Sequence, residues 1–322
     1  MEMNFEKAAE LVEAIKAEVH KRIVGQEEFV ELTLVALVAN GHILIEGVPG
    51  LAKTFLVRTL SEVLNLEFKR IQFTPDMLPS DIIGGLMYNQ KSGEFTAQKG
   101  PVFTNMVLAD EINRAPAKVQ SALLEAMQER EVTIGGNTYP LPKPFLVMAT
   151  QNPIEQEGTY PLPEAQVDRF LVKAVVTYPS FEEEVEIINR VAFGRNIPVK
   201  KVCSGDEILA VKELLSKVEV KRDIKEYVVR LVDATRNPEK YGLEFLKEYI
   251  KWGASVRASI AMIEVASAFA LIEGRDFVLP DDVKRAALPV LRHRVVPTFL
   301  AEAEGKNADW IVENILRTVK SA

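Results

Sequence analysis

The residues whose types and spacing most clearly indicate a chemical function run from Gly47 to Thr54. Their sequence is Gly-Val-Pro-Gly-Leu-Ala-Lys-Thr. This run fits the phosphate-binding pattern G-x-x-x-x-G-K-[ST], with Ala52 in place of the sixth-position glycine. Glycines let backbone N–H groups face an anion, Lys53 can reach the β- and γ-phosphates, and Thr54 can ligate Mg²⁺. The alternative is a chance glycine-rich turn beside a surface lysine.

The sequence on either side of this run favours phosphate binding. The apolar Ile43-Leu-Ile45 predicts a strand that stops at the glycines, and the residues from Phe55 onward have helical spacing. Strand, loop and helix in this order place the loop at a helix N-terminus, where anions are stabilised. The residues expected to bind the nucleotide here are Val48, Pro49, Gly50, Leu51, Ala52, Lys53, Thr54 and Phe55.

Two adjacent acids end the apolar run that starts at Met106. Such a run is typical of a strand buried on both faces, with its C-terminal tip at the ligand crevice. Asp110 can hold the hydration shell of Mg²⁺ opposite Thr54, and Glu111 can orient or deprotonate an attacking water. An isolated Asp-Glu pair would more often begin a turn or cap a helix, but its place after the phosphate loop favours catalysis.

Two further segments are candidates for contact with the nucleotide. The buried strand predicted at 145–149 is followed by Thr-Gln-Asn, so Asn152 can sense the γ-phosphate, although an Asn-Pro turn is the alternative. Val-Gly-Gln after the first helix is by itself only a turn. Before a strand and a phosphate loop, however, it resembles the segment that lines the adenine pocket in many ring ATPases, which makes candidates of Ile23, Val24, Gly25 and Gln26.

Composition limits the classes of protein to which the chain can belong. Its 322 residues are 48% hydrophobic, enough for two domains with sizeable cores. A net charge of −7 argues against a surface dedicated to nucleic acid. One cysteine and three scattered histidines predict neither a disulfide framework nor a zinc cluster. No signal peptide or membrane span is predicted, and a cytoplasmic location is expected.

The pattern changes along the chain from mixed α/β to helical. Residues 1–180 are expected to form the nucleotide-binding domain, with an insert at about 77–103 and a hairpin at about 131–139 that turns at Gly135-Gly136. The insert, a short helix and a hairpin, is either a decorative loop or a projection towards a substrate or pore. Residues 181–322 are expected to form a smaller helical domain, with helices over 181–193, 204–218, 224–235, 257–273, 280–291 and 308–318.

Together these motifs resemble the MoxR family of AAA+ ATPases. The resemblance covers essentially the whole chain and is carried by 47–54, Leu108-Ala-Asp-Glu-Ile-Asn-Arg-Ala-Pro116, Ala149-Thr-Gln-Asn-Pro153, Asp168-Arg-Phe170 and Gly253-Ala-Ser-Val-Arg257. It implies an α/β fold: an AAA+ αβα P-loop domain with a five-stranded parallel sheet, then a helical lid. Gly-Leu-Ala-Lys-Thr is a common form in the family, so Ala52 is compatible with it.

The resemblance also implies roles for individual residues. Asn152 corresponds to sensor 1, Arg169 resembles the arginine finger that reaches a neighbour's γ-phosphate, and Arg257 resembles sensor 2. Without the family, both arginines would be taken as structural. Val256 departs from the usual proline, so the direction of Arg257 and its action within or across subunits stay open. Arg114 is a weaker candidate for contact with a neighbour.

The implied activity is ATP hydrolysis with Mg²⁺ in a homo-oligomeric ring, a hexamer. It would drive chaperone-like remodelling or maturation of a partner, including metal-cofactor insertion, with von Willebrand factor A domain proteins as expected partners. One alternative is a DNA-associated AAA+ motor or helicase-like ATPase, against which the acidic balance speaks. The other is a nucleotide-gated scaffold with little turnover, against which Glu111 and Asn152 speak.

Overall fold

The computed structural model describes residues 3–47, 53–91, 93–151, 159–191 and 197–321. These residues form two compact units. One contains a parallel sheet and the described parts of 13–169 and 174–209, and the other is mainly helical and contains 3–12, 170–173 and 210–321. Because the units interleave along the chain, the domain boundary expected after residue 180 stays a prediction.

The elements are numbered in chain order. The strands are β1 (Ile43–Glu46), β2 (Phe68–Gln72), β3 (Gly84–Asn89), β4 (Glu94–Lys99), β5 (Met106–Asp110), β6 (Glu131–Ile134), β7 (Asn137–Pro140), β8 (Leu146–Gln151), β9 (Val172–Val175), β10 (Ile250–Trp252) and β11 (Val296–Pro297). The α-helices are α1 (Phe5–His20), α2 (Glu27–Val38), α3 (Lys53–Val63), α4 (Pro79–Ile83), α5 (Ala117–Glu129), α6 (Glu164–Val167), α7 (Phe181–Val191), α8 (Gly205–Leu215), α9 (Arg222–Ala234), α10 (Val256–Ile272), α11 (Pro280–Leu291), α12 (Phe299–Ala303) and α13 (Ala308–Thr318).

The sheet unit is built on five strands in the order β2-β5-β8-β1-β9. β2 pairs with β5, β5 with β8 and β8 with β1, all parallel. The register sets Gln72 opposite Asp110 and Glu46 opposite Gln151, so the C-terminal tips of these four strands share one edge of the sheet. The predicted α/β class and the five-stranded parallel sheet are confirmed.

The central strands are those with the longest apolar runs. Every residue of β5 is buried except Asp110 at its end, and every residue of β8 is buried except Gln151. Strands buried on both faces read as continuous apolar runs, which is why the sequence located them. β8 extends two residues beyond the predicted 145–149, so Thr150 belongs to the strand and lies at its tip.

His42 joins three elements at the start of β1. Its imidazole is buried, its Nε2 lies 3.0 Å from the carbonyl oxygen of Met127 in α5, and its Nδ1 accepts a hydrogen bond of 3.0 Å from the N–H of Val147 in β8. These partners suit the neutral ring, with the proton on Nε2. Burial, together with the charge of Arg130, lowers the pKa of His42 to about 3.

Because the pKa of His42 is lowered in the folded state, we expect the protein to lose stability in mild acid. Unfolded histidine binds a proton near pH 6.5 and folded His42 does not, so the free energy of unfolding falls as pH drops below about 6.5. The expected contribution at about pH 5 is a loss of about 2 kcal/mol. His42→Gln should lower stability at neutral pH but weaken this pH dependence, as measured by urea unfolding across the range. An unchanged pH dependence in the variant would contradict the assignment.

Two hairpins decorate the sheet unit, as the sequence predicts. β3 pairs with β4 and β6 with β7, both antiparallel. Gly135 and Gly136 have φ of 58° and 83°, as the predicted two-residue turn requires. A side chain at Gly135 would lie 2.6 Å from Leu86 Cδ2, so the two hairpins meet there. The outer part of β3–β4 exposes Met87, Tyr88 and Phe95.

In the helical unit, α10 packs against α9 and α11, and α11 also packs against α13. The helices predicted from residue 224 onward are present in this unit, whereas α7, predicted as part of the same domain, groups with the sheet unit. Gly274 has a φ of 78° just beyond α10, as expected of a helix end. The short antiparallel pair β10–β11 was not predicted. In the part of the chain that the structure describes, no helix is both long and apolar enough to cross a membrane.

Candidate active site

The two flanks of the phosphate loop meet through Lys53. Gly47 follows β1, Lys53 is the first residue of α3, and the lysine Nζ donates a hydrogen bond of 2.6 Å to the carbonyl oxygen of Gly47. A side chain at Gly47 would lie 2.7 Å from the backbone oxygen of Val176, so glycine is required for this approach. Thr54 is half-buried as the second residue of α3, and Phe55 after it is partly exposed.

The ammonium of Lys53 lies among negative charges. Burial lowers the pKa of Lys53, and the carboxylates of Asp110, Glu111 and Glu46 act in the opposite direction. Burial and the nearby carboxylates therefore have opposite effects on the pKa of Lys53. The ammonium has donor capacity for an anion, because it carries three N–H groups and, among the described residues, Gly47 accepts one of them.

Asp110 and Glu111 are linked through Thr150. The Thr150 hydroxyl donates to Asp110 Oδ1 at 2.7 Å and accepts the backbone N–H of Glu111 at 2.8 Å. One hydroxyl at the tip of β8 therefore fixes the carboxylate of the first acid and the backbone of the second. No role is predicted for Thr150 from the sequence, although its place at the end of a predicted strand is a usable signal.

Glu111 has a left-handed backbone, with φ 56° and ψ 52°. Few residues other than glycine adopt this conformation, and it turns the chain sharply after β5. The carboxylate is then held at one oxygen, because Oε2 accepts from Gln72 Nε2 at 3.0 Å and from Arg114 Nη1 at 3.1 Å. Arg114, considered for contact with a neighbour, pairs within its own chain here.

The candidate adenine segment is tightly built. Ile23 is buried, and Gly25 and Gln26 have φ of 65° and 61°. A side chain at Gly25 would collide with Glu183 Oε1 at 2.1 Å, and Glu183 itself accepts the N–H of Ser180 at the start of α7. The turn containing Val24 is thus fixed against α7.

Arg169 is exposed in an open groove of about 420 Å³ that Glu125, Glu129 and Gln166 also line. Its guanidinium makes no hydrogen bond or ion pair with any residue that the structure describes. A structural arginine beside two acids would pair with one of them. The guanidinium is thus exposed and unpaired within the described part of the chain, and the role of Arg169 as an arginine finger stays a prediction.

The residues that follow Arg169 are held by the C-terminal end of α11. The buried Arg294 donates to the carbonyl oxygens of Phe170 at 2.7 Å and Leu171 at 3.0 Å, and His293 Nε2 lies 3.0 Å from the Phe170 oxygen. The segment 170–173 accordingly groups with the helical unit. Arg169 therefore directly precedes a backbone segment whose carbonyl oxygens are held by the buried Arg294 and His293.

Arg257 is the second residue of α10 and is exposed, and its N–H donates to the Ser255 hydroxyl that caps the helix. Val256 occupies the first helical position, which suits proline well. Because Ser255 caps α10, the helix begins at Val256 without a proline at that position. Arg257 belongs to the helical unit and the acid pair to the sheet unit, so its role as sensor 2 stays a prediction.

Six predicted site residues lie outside the described residues: Val48, Pro49, Gly50, Leu51, Ala52 and Asn152. The structure brings together the others expected at the phosphates, namely Lys53, Asp110 and Glu111. It adds residues that no sequence motif indicates. Arg70, Gln72 and Thr150 all hold the acid pair.

Known proteins are similar to this chain over most of its length. The family model described as "ATPase family associated with various cellular activities (AAA)" matches residues 42–172, and the AAA lid domain model matches 245–315. Chaperone MoxR1 of Mycobacterium tuberculosis is 53% identical, over 94% of this chain and 80% of its own length. YeaC of Bacillus subtilis is 45% identical, over 94% of this chain and 92% of its own.

A solved structure is also similar to this chain in both fold and sequence. The crystal structure of a candidate ATPase from Cytophaga hutchinsonii has a TM-score of 0.92 and 50% sequence identity, with 99% of this chain and 97% of that chain covered. The fold, the two matched models and the extent of identity lead to one conclusion. The chain belongs to the MoxR family of AAA+ ATPases.

Proposed function

We propose that this protein hydrolyses ATP with Mg²⁺ in a ring of identical subunits, a hexamer, and uses the energy to remodel or mature a partner protein. The observation that carries the proposal is the convergence of Lys53, Asp110 and Glu111 beside Gly47, with Thr150 joining the two acids. A cation for phosphates and two carboxylates at one sheet edge suit phosphoryl transfer to water.

The available oxygen ligands fit a magnesium ion carried by the nucleotide. Among the described residues, no group of three or more His, Cys, Asp or Glu side chains could hold a metal alone. Mg²⁺ needs few protein ligands when phosphates and waters supply the rest. Thr54 and Asp110 would hold it, and the bound ion would neutralise charge on the transferred phosphoryl group.

The protein's own residues would then act on the nucleotide and on water. Lys53 would bind the β- and γ-phosphates, and residues 48–52 would cradle them with backbone N–H groups. The two hydrogen bonds that described residues donate to the Glu111 carboxylate fall on Oε2, and Oε1 would orient the attacking water or accept its proton. Asn152 would contact the γ-phosphate, and residues 23–26 and Phe55 would line the adenine side.

The arginines would complete the site at a subunit contact. Arg169 is exposed and carries the guanidinium for a neighbour's γ-phosphate, and Arg257 would sense the nucleotide from the helical unit in cis or in trans. Catalysis would therefore depend on assembly. We expect specific activity to climb with protein concentration until the ring is formed.

The exposed hairpin surface favours a protein partner over DNA. Tyr88 and Phe95 are directly opposite each other on β3–β4 and form an exposed aromatic surface, with ring centroids 5.3 Å apart. Of the hairpin lysines, Lys99 lies over the rings of Phe103 and Tyr139, at 5.0 and 5.3 Å. By family resemblance, a von Willebrand factor A domain protein is the partner to test first, in the cytoplasm, and delivery of a metal cofactor is one form the maturation can take.

The test is phosphate release from ATP at rising protein concentrations, with added DNA, with added partner, and with neither. The proposal predicts Mg²⁺-dependent release that increases with protein concentration and with partner. Stimulation by DNA alone would favour the motor alternative. Tight ATP binding with no release under any condition would favour the nucleotide-gated scaffold.

A further inference from the structure

The carboxylate of Asp110 is held by a guanidinium from the neighbouring edge strand. Arg70 lies on β2, and its Nε and Nη2 both donate to Asp110 Oδ2, at 3.0 and 2.6 Å. In the sheet register Arg70 is opposite Leu108, two residues before Asp110 on the same face of the strand. The long side chain therefore extends along the sheet edge to the strand tip.

This pair fills most of the capacity of the Asp110 carboxylate to accept hydrogen bonds. A carboxylate offers about four acceptor positions. Arg70 takes two of them at Oδ2, and the Thr150 hydroxyl takes one at Oδ1. A hydrated cation that donates hydrogen bonds from its waters to Asp110 must therefore compete with Arg70 for Oδ2.

Arg70 is placed to give way at small cost. Its side chain is 46% exposed, against 19% for Asp110, so a guanidinium that leaves the carboxylate can be hydrated at once. Movement of Arg70 away from Asp110 would also affect Glu111, through Gln72. Arg70 Nη2 contacts Gln72 Oε1, and the amide nitrogen of Gln72 donates to Glu111 Oε2 at 3.0 Å.

We propose that Arg70 is a positioning residue that serves as the resident cation of Asp110 until a nucleotide-bound divalent ion replaces it. In the metal-free site the guanidinium neutralises a carboxylate that would otherwise repel the triphosphate. When the ion arrives, the same guanidinium is its competitor. Arg70 therefore sets how much Mg²⁺ the site requires, an inference that rests on the proposed function.

The test measures ATP binding to the full chain by filter binding, in EDTA and in a magnesium titration at fixed ATP concentration. Without Arg70, ATP affinity in EDTA should fall about fivefold, and the half-saturating Mg²⁺ concentration should also fall about fivefold, as suits a partly exposed ion pair. Arg70→Gln is the principal variant. Arg70→Lys keeps the charge without the two-point contact, so its affinity in EDTA should stay near the wild-type value and its Mg²⁺ requirement should be intermediate.

Lys69→Gln is the matched control, because Lys69 is exposed on the same strand and points to its other face. It should behave as wild type in both measurements. A merely structural Arg70 would lower the thermal unfolding temperature and leave the Mg²⁺ requirement unchanged, and that result overturns the proposal, as does a higher requirement. If Arg70→Gln does not fold, Arg70→Lys decides. Wild type that binds no ATP in either condition would instead refute the proposed function itself.

Discussion

Replacing Glu111 with Gln is expected to lower the rate of ATP hydrolysis by about 10²- to 10⁴-fold, the usual contribution of a general base. Glutamine keeps the size of the side chain and can still accept at its carbonyl oxygen, where Gln72 and Arg114 now donate. What it loses is the negative charge that attracts a proton from water. ATP affinity should stay within a few-fold of wild type, because other groups, Lys53 among them, are proposed to bind the phosphates. Single-turnover phosphate release and equilibrium ATP binding measure the two effects separately.

The control for this experiment is Glu213→Gln, which removes one exposed carboxylate from α8. It should hydrolyse ATP at the wild-type rate. Parallel loss of binding and turnover in Glu111→Gln would mean that the residue holds the site together rather than activating water. Unchanged turnover in the variant would exclude Glu111 as the base.

Arg169→Ala is expected to lower hydrolysis by about 10³-fold or more, the scale on which arginine fingers act. The variant has an intact Lys53, Asp110 and Glu111, so its own pocket should still bind ATP. Mixing it with Glu111→Gln subunits should restore activity, because a neighbour then supplies the missing guanidinium to a pocket that retains its base. In a head-to-tail ring of randomly mixed subunits, about a quarter of the pockets would be complete.

Arg222→Ala serves as the matched control, since Arg222 is 92% exposed on α9. Its activity should equal that of wild type, alone or mixed. A mixture of the two inactive variants that is no more active than either alone would show that Arg169 does not act across subunits. Full activity of Arg169→Ala alone would show that it takes no part in hydrolysis.

The parts of the fold that the sequence predicts are those governed by local rules. Strands β5 and β8 are buried on both faces and so appear as uninterrupted apolar runs ending in polar residues. The turn at Gly135-Gly136 needs two positive φ angles, and a pair of adjacent glycines predicts such a turn. Lys53 and the acid pair were located in the same way, because their chemistry depends on position along a strand or at a helix start.

The features that were missed depend on contacts between strands distant in sequence. Arg70 alone is an ordinary charged residue on an edge strand, and only the pairing of β2 with β5 brings it to Asp110. The left-handed backbone of Glu111 is also unexpected from residue type, because glutamate rarely adopts it. β10 and β11 escaped prediction because two or three residues are too few to show alternation.

The central claim is that ATP is bound and split at the pocket where Lys53 meets Asp110 and Glu111, and Lys53→Ala tests it most directly. Loss of a half-buried ammonium should weaken ATP binding by about 10- to 100-fold and abolish measurable phosphate release. Lys225→Ala, which removes an exposed ammonium from α9, should leave both unchanged. The measurement is ATP binding and phosphate release by the purified proteins over a full range of ATP concentrations. Only Lys53→Ala is expected to lose both activities, and a Lys53→Ala protein that binds and splits ATP as well as its parent would contradict ATP hydrolysis at this pocket.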